Sequence, residues 1–330
     1  MTRSLALIAA IILCLTTNAA LAMIDIAWSP AQIGAAQVSR AAMLLPVRIS
    51  GCAISPRAGL YMQFDTGQNR TVIYRSGLEA LSRLCGGVGR NAVTQDVVDL
   101  KLHVDELLLD RTWIVYGQSG SNKKVANSSQ QPILLGSLGI DAIASAFVII
   151  DGRRSTFVAT KTRAKFTGAT RKLLFHPLSL DASGRILVRT NIQGVEQPLT
   201  LLLDTGAASQ NVVVKDSVFS ALTQSNALLD SDTVFSLGGW GKTFECRRKK
   251  STSEMFALGN ALLSRDVTSC QTAENQSLPS DAYDGVLGLS GFGRGFLLAV
   301  NPIDKSIALL TRDFELIHRV GRSSAKSSLR

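Results

Sequence analysis

The tripeptide Asp-Thr-Gly occurs twice in this chain of 330 residues, at positions 65–67 and 204–206. Each copy follows an apolar run that reads as a β-strand, residues 60–64 in the first case and 201–203 in the second. The glycine allows the backbone to turn tightly after the strand, so each copy places a carboxylate at a strand end. This repetition favours a fold of two equivalent units, each of which contributes one aspartate.

The two halves of the chain also share one order of elements. A hairpin precedes the Asp-Thr-Gly motif, and a β-branched stretch, an amphipathic helix, a glycine-rich stretch and an apolar-Leu-Gly element follow it. In the first half these are residues 44–64, 71–74, 77–84, 85–90 and 137–139, and in the second half 186–203, 211–214, 217–222, 237–241 and 286–288. Since helices do not alternate with most strands, we predict an all-β fold of two lobes and not βαβ units.

The segment 160–172 is basic and poor in strand-forming residues, so we place the boundary between the lobes there. The predicted lobes are residues 23–165 and 166–330. Each has an ordinary size for a domain.

The first 22 residues have the features of a cleaved secretory signal. Arg3 is followed by an apolar run at 5–15 and by Ala20-Leu21-Ala22, a small-x-small cleavage site. A transmembrane anchor is the alternative, but the apolar run is short. Lipid attachment at Cys14 is a further alternative, disfavoured because Leu13 before it is not small. We therefore expect a periplasmic or secreted protein that begins at Met23.

Export leaves four cysteines, two in each half. An even number in an exported protein indicates two disulfides, for which three connectivities exist. We expect the pairs Cys52–Cys85 and Cys246–Cys270, one within each half. Without a Cys-x-x-Cys motif or clustered histidines, the sequence predicts no metal site, and we expect no cofactor.

The chain is basic, with a formal net charge of +10. Few aromatic residues lie among the basic ones, and export argues against nucleic acid as a partner. We expect instead a solvated surface that is attracted electrostatically to anionic components of the cell envelope.

The strand–Asp-Thr-Gly unit, the helix, the glycine-rich stretch and the apolar-Leu-Gly element together resemble the aspartic peptidase clan of pepsins and retropepsins. The second half, with Leu-Leu-Leu-Asp-Thr-Gly-Ala-Ala-Ser at 201–209 and Asp-Gly-Val-Leu-Gly at 284–288, is similar to the retropepsin form. This resemblance implies two β-barrel lobes with a cleft between them. It also implies a monomer, because both lobes are on one chain, although a homodimer that pairs like lobes is an alternative.

The resemblance assigns a role to each motif residue. Asp65 and Asp204 are expected to form a catalytic pair that activates a water molecule against a peptide bond. The loops that carry them are supported by four residues, Thr66, Gly67, Thr205 and Gly206. Gly239 and Trp240 are expected to form a flap over a protein or peptide substrate, and a packed hairpin tip is the alternative role for Trp240.

The first motif departs from the family pattern. Gln68-Asn69-Arg70 follows Gly67, where the family has a small residue, and Arg70 is expected to lower the pKa of Asp65. Residues 23–42 are too short for a prosegment of the pepsin kind. These departures leave open a second function, in which the same scaffold binds a peptide or an envelope component without catalysis.

Overall fold

The computed structural model describes residues 23–33, 36–52, 59–86, 96–104, 107–117, 132–161, 173–223, 233–239, 242–272, 277–278, 282–293 and 295–311. Within them the fold is all-β, with strands in three sheets and two short helices. Two sheets each belong to one half of the chain, and these define two lobes. The predicted signal segment lies outside the described residues.

The first lobe has an eight-stranded sheet in the order β2-β3-β5-β9-β6-β8-β7-β4. Its strands are β2 (Ala27–Ile33), β3 (Ala36–Pro46), β4 (Arg48–Ile49), β5 (Leu60–Phe64), β6 (Val72–Tyr74), β7 (Val97–Val104), β8 (Leu107–Tyr116) and β9 (Ile133–Leu138). Strand β7 shows why such a segment forms a strand, since its buried residues, among them Leu100 and Leu102, occupy every second position.

The second lobe has a sheet in the order β17-β18-β21-β16-β23-β15-β14-β19-β20, with β13 paired to β14 and β22 to β21. Its strands are β13 (Ser179–Leu180), β14 (Ile186–Ile192), β15 (Leu199–Asp204), β16 (Val212–Val214), β17 (Thr233–Gly239), β18 (Lys242–Lys250), β19 (Met255–Ala257), β20 (Ala261–Leu262), β21 (Asp266–Thr272), β22 (Ser277–Leu278) and β23 (Gly285–Gly288).

The two lobes repeat one topology. The strand that leads to Asp-Thr-Gly, β5 or β15, runs parallel to the strand that carries the Leu of the Leu-Gly element, β9 or β23. That strand pairs antiparallel with β6 or β16, which in turn runs parallel to β8 or β21. The two halves, which share the same order of sequence elements, therefore also share the same pattern of strand pairing.

A third sheet joins the lobes, in the order β1-β11-β10-β24-β25-β12. Its strands are β1 (Ile24–Asp25), β10 (Phe147–Asp151), β11 (Thr156–Thr160), β12 (His176–Pro177), β24 (Leu297–Asn301) and β25 (Ser306–Leu310). Strand β10 of the first half pairs with β24 of the second, so the halves are hydrogen-bonded through their backbones. The predicted boundary segment lies largely in residues 162–172, outside the described part of the chain.

Each lobe carries one helix after the strand that follows Asp-Thr-Gly. Helix α1 (Arg75–Leu84) buries Leu78 and Leu81, which lie one turn apart, and α2 (Asp216–Thr223) buries Phe219 and Leu222. Gly77 allows α1 to approach the sheet, because a Cβ there would lie 2.5 Å from the carbonyl oxygen of Leu134. Both helices match the predicted positions.

The structure contains both disulfides in the predicted pairing, Cys52–Cys85 and Cys246–Cys270. Each lies within one lobe, and the second links the neighbouring strands β18 and β21. Two disulfides indicate an oxidising compartment. Among the described residues, no helix is long and apolar enough to span a membrane.

Candidate active site

The two Asp-Thr-Gly loops meet at the interface between the lobes. The Thr66 N–H donates to Oγ1 of Thr205 at 3.0 Å, and the Thr205 N–H donates to Oγ1 of Thr66 at 3.1 Å. The Thr66 hydroxyl donates to the Leu203 carbonyl at 2.7 Å, and the Thr205 hydroxyl donates to the Phe64 carbonyl at 2.9 Å. Both threonines are buried, so these four bonds satisfy their hydroxyls and lock one loop against the other.

The glycine of each loop lies against the aspartate of the other loop. A Cβ on Gly67 would be 2.5 Å from Cγ of Asp204, and a Cβ on Gly206 would be 2.4 Å from Cγ of Asp65. A side chain at either position would force the opposing carboxyl or its loop to shift, so the glycines serve the close approach of the two loops. This arrangement brings the two carboxyl groups together.

Asp65 and Asp204 are 9% and 5% exposed, and each carboxyl lies against the glycine of the opposite loop. Oδ1 of Asp65 also accepts from the Gly67 N–H at 3.0 Å, and Oδ1 of Asp204 accepts from the Ala207 N–H at 3.0 Å. Burial raises the pKa of Asp204, opposed by hydrogen bonds from Asp65 and the backbone and by the charge of Arg185. Two adjacent buried carboxyls do not both ionise readily, so the pair retains a proton to higher pH than an isolated aspartate.

The strands behind the loops hold them in place. The Asp65 N–H donates to the Leu138 carbonyl at 2.9 Å, and Asp204 pairs with Gly288 in the parallel register of β15 and β23. Gly139 packs against the backbone of Arg70, where a Cβ would be 2.5 Å from the Arg70 carbonyl carbon. The two Leu-Gly elements thus lie directly behind the aspartate loops.

The loops differ at the residue after the glycine. In the second lobe the Ala207 N–H reaches the Asp204 carboxylate, whereas in the first the Gln68 N–H donates to the Asp65 backbone carbonyl at 3.2 Å. Neither residue has a hydroxyl that could support the carboxylate. Asn69 and Arg70 are exposed, and the influence of Arg70 on Asp65 stays a prediction.

Tyr74 is a further group beside Asp65 that the sequence did not single out. Burial, followed by the negative charge of Asp65, raises the pKa of Tyr74 to about 12, although a hydrogen bond with Ser137 opposes the rise. Its hydroxyl is therefore neutral at any pH at which the carboxyl pair functions. Tyr74 is the last residue of β6, two residues after Val72, which pairs with Ser137.

Arg185 supplies a positive charge beside Asp204, which the sequence reading also missed. Arg185 directly precedes β14, in which Leu187 pairs with Leu202, two residues before Asp204. Its guanidinium donates from Nε to Oδ2 of Asp181 at 2.7 Å and lies 5.5 Å from the ring centre of Tyr283. These contacts hold the cation in place, and its charge lowers the pKa of Asp204.

The predicted flap residues are only partly described. Gly239 ends β17 and pairs with Lys242 at the start of β18. Trp240 lies outside the described residues, as does the first-lobe glycine-rich stretch from residue 87 to 90. The flap assignment therefore stays a prediction.

No group of three or more His, Cys, Asp or Glu side chains able to hold a metal ion occurs in the described parts of the chain. The site contains the carboxyl groups of Asp65 and Asp204. Beside them lie the neutral phenol of Tyr74 and the guanidinium of Arg185, which contacts Asp181 and Tyr283.

The chain was compared with known proteins. No protein-family model and no curated protein sequence matches it. Among solved structures, it is similar to the crystal structure of basic 7S globulin from soybean, with 13% sequence identity and a TM-score of 0.40. The match covers 88% of this chain and 95% of that chain.

Proposed function

We propose that this chain is an exported aspartic-type endopeptidase that hydrolyses peptide bonds with Asp65 and Asp204. The observation that carries the proposal is the pair of buried, adjacent carboxyls, held by two symmetric loops at the interface of two lobes. An ionisable pair that shares a proton can act as general base and general acid in the same step.

In the reaction, the ionised member of the pair takes a proton from a water molecule. The oxygen of that water adds to the carbonyl carbon of the scissile peptide bond, while the protonated member donates a hydrogen bond and then a proton to the carbonyl oxygen. The ionised member then takes a hydroxyl proton from the resulting diol as the C–N bond breaks, and the protonated member gives its proton to the leaving nitrogen. The products are a carboxylic acid and an amine, and the pair returns to one shared proton.

The rest of the site supports this chemistry by holding the carboxyls still. The Thr66 and Thr205 bonds and the contacts of Gly67 and Gly206 leave each carboxyl little room to move. Preorganised groups lower the barrier because they need no rearrangement when the reaction occurs. A water molecule held by both carboxyls would lie between the lobes, where we expect an extended peptide to bind.

The two disulfides and the positive net charge support a location outside the cytoplasm, near the cell envelope. An oxidising compartment suits an exported peptidase, and a net charge of +10 suits work close to an anionic envelope surface. The substrate class is an unfolded protein or peptide, and the expected working form is a monomer.

The test is cleavage of an unfolded protein by purified chain that begins at Met23, from acid to mildly alkaline pH. We expect cleavage by the wild type and none by Asp204→Asn, whose side chain keeps the shape but cannot carry the proton. Arg189→Met, a change at an exposed position on the same lobe, serves as the control and should cleave normally. Equal cleavage by wild type and Asp204→Asn would overturn the proposal.

A binding protein on the same scaffold is the rival function. It is favoured by Gln68-Asn69-Arg70, which follows Gly67 where the second loop has the small residue Ala207. Retained peptide binding without turnover at any pH between 3 and 8 would support the rival over the enzyme.

A further inference from the structure

The hairpin β2–β3 reaches from the first lobe across to the second. Leu44 of β3 pairs with Gln63, two residues before Asp65, and Ala42 lies two residues before Leu44 on β3. From Ala42, β3 continues away from the catalytic loop for six more residues to Ala36. At about 3.4 Å per residue, this segment projects about 20 Å beyond the loop.

The base of this hairpin is attached to the sheet that joins the lobes. The indole N–H of Trp28 donates to Oγ of Ser155 at 3.0 Å, and Nη1 of Arg40 donates to the Gly152 carbonyl at 2.8 Å. The Arg40 guanidinium also lies 5.0 Å from the centre of the Trp28 ring. Because both strands are tied to the turn between β10 and β11, the hairpin is a fixed element and not a hinged lid.

The outer part of the hairpin has one apolar and one polar face. Val38 pairs with Ala31, and Gln37 pairs with Gln32. Paired residues have their side chains on the same face of the hairpin, and successive residues of a strand alternate between the two faces. Val38 and Ile33 therefore lie on one face, and Gln32 and Gln37 lie on the opposite face. Ile33 is buried and Val38 half-buried, whereas both glutamines are exposed. The apolar face therefore packs against another part of the protein.

The apolar face of the β2–β3 hairpin packs against the second lobe. Ile33 and Val38 belong to a hydrophobic cluster whose other members, within the described residues, all come from that lobe. These are Leu187, Leu202, Ala207, Val213, Phe235, Leu237, Phe244, Cys246, Cys270, Tyr283 and Val286. Strand β2 contacts β17, and β3 contacts the turn at Thr205–Ala207.

The covered surface lies on the face of the sheet that carries the catalytic carboxyl. Leu202 and Asp204 are two residues apart on β15, so their side chains project from the same face. Ala207, another member of the cluster, donates its N–H to the Asp204 carboxylate. The apolar surface next to Asp204 is thus occupied by the protein's own hairpin.

We propose that Ile33 and Val38 form a specificity wall, which closes the second-lobe side of the cleft to large apolar side chains. The inference rests on the proposed function, because it takes the occupant of the cleft to be a peptide. A peptide residue that lies beside Asp204 must be small, since a phenyl ring there would have to displace Ile33 from its buried position. Large side chains remain acceptable at positions further from the wall.

The test measures peptide binding in protein that carries Asp204→Asn, so that turnover does not affect the result. The probes are acetylated heptapeptides in which a single Phe is moved through an Ala-Ser background, with affinities measured by calorimetry. With the native wall, we expect one position at which Phe lowers the affinity by tenfold or more relative to Ala. Adding Ile33→Ala should remove that penalty at this position alone.

Val38→Ala is a second, milder variant in case Ile33→Ala fails to fold, and it should reduce the same penalty. Gln37→Ala, a change on the exposed face of the hairpin, is the matched control and should leave the whole profile unchanged. Identical profiles in the wall variants and the native hairpin would overturn the inference, as would a failure of all these proteins to bind any peptide. A protein that binds as described but cleaves nothing when Asp204 is restored would instead refute the proposed enzyme and leave the wall in place.

Discussion

The substitution Gly206→Ala tests whether the close approach of the loops is what builds the site. A Cβ at this position would lie 2.4 Å from Cγ of Asp65, whereas ordinary contacts begin at 3.4 Å. Either the Asp65 carboxyl or the whole loop must therefore move by about 1 Å, and a displacement of that size can reduce catalysis by about 10²-fold. Since the loop is locked by Thr66 and Thr205, we also expect the overpacking to destabilise the fold by about 1–3 kcal/mol.

The assay pairs kcat/KM on a peptide substrate with urea unfolding. Gly117→Ala is the matched control, because a Cβ there meets nothing within 4 Å. It should leave activity unchanged. If Gly206→Ala keeps wild-type activity and stability, the carboxyl pair does not depend on this contact and the reasoning about the loops is wrong.

Three further predictions concern the charges and the threonines of the site. The folded-state pKa of Asp204 lies above its ordinary value of 3.8, so its proton stabilises the folded state in acid and that stability is lost as pH rises through the folded pKa. Asp204→Asn should therefore increase the free energy of unfolding over wild type more at pH 7 than at pH 3. The difference should be about 1.4 kcal/mol per unit by which the folded-state pKa is raised. An equal change at both pH values in denaturant titrations would contradict this. Arg185→Met removes a charge that lowers the pKa of Asp204, so the acid limb of the pH–rate profile should move to higher pH, while Arg189→Met should not move it. Thr66→Val and Thr205→Val should each cost about 1–3 kcal/mol, and the double variant less than their sum because they share one network; strict additivity in unfolding measurements would argue against a shared network.

The doubled lobe could be predicted from sequence because its signals are local. Asp-Thr-Gly, the helices and the Leu-Gly elements each depend on residues close together in the chain. The pairing Cys52–Cys85 and Cys246–Cys270 followed from the presence of two cysteines in each half. These signals were enough for an all-β fold of two lobes.

The sheet between the lobes could not be predicted in the same way. Residues 147–151 and 297–301 read as ordinary buried strands, and nothing in either segment indicates that it pairs with the other. The paired residues are about 150 positions apart in the sequence, and their pairing depends on how the two folded lobes pack together. The periodicity within a single strand does not indicate which distant strand it pairs with.

The hairpin at residues 27–46 and the cation Arg185 were missed for a related reason. The outer hairpin is rich in Ala and Gln, which are weak strand formers, so its sequence gives little signal. Arg185 looks like the polar residue that precedes a strand, and its place beside Asp204 appears only when β14 pairs with β15.

The most direct test of the central claim is the activity of Asp65→Asn, because the first loop has Gln68 where the second has the small residue Ala207. If Asp65 and Asp204 work as one unit, then kcat/KM should fall by about 10³-fold in either single Asn variant, and the double variant should be no worse than the singles. Asp65→Asn protein that retains wild-type kcat/KM while Asp204→Asn is inactive would contradict a shared-proton pair.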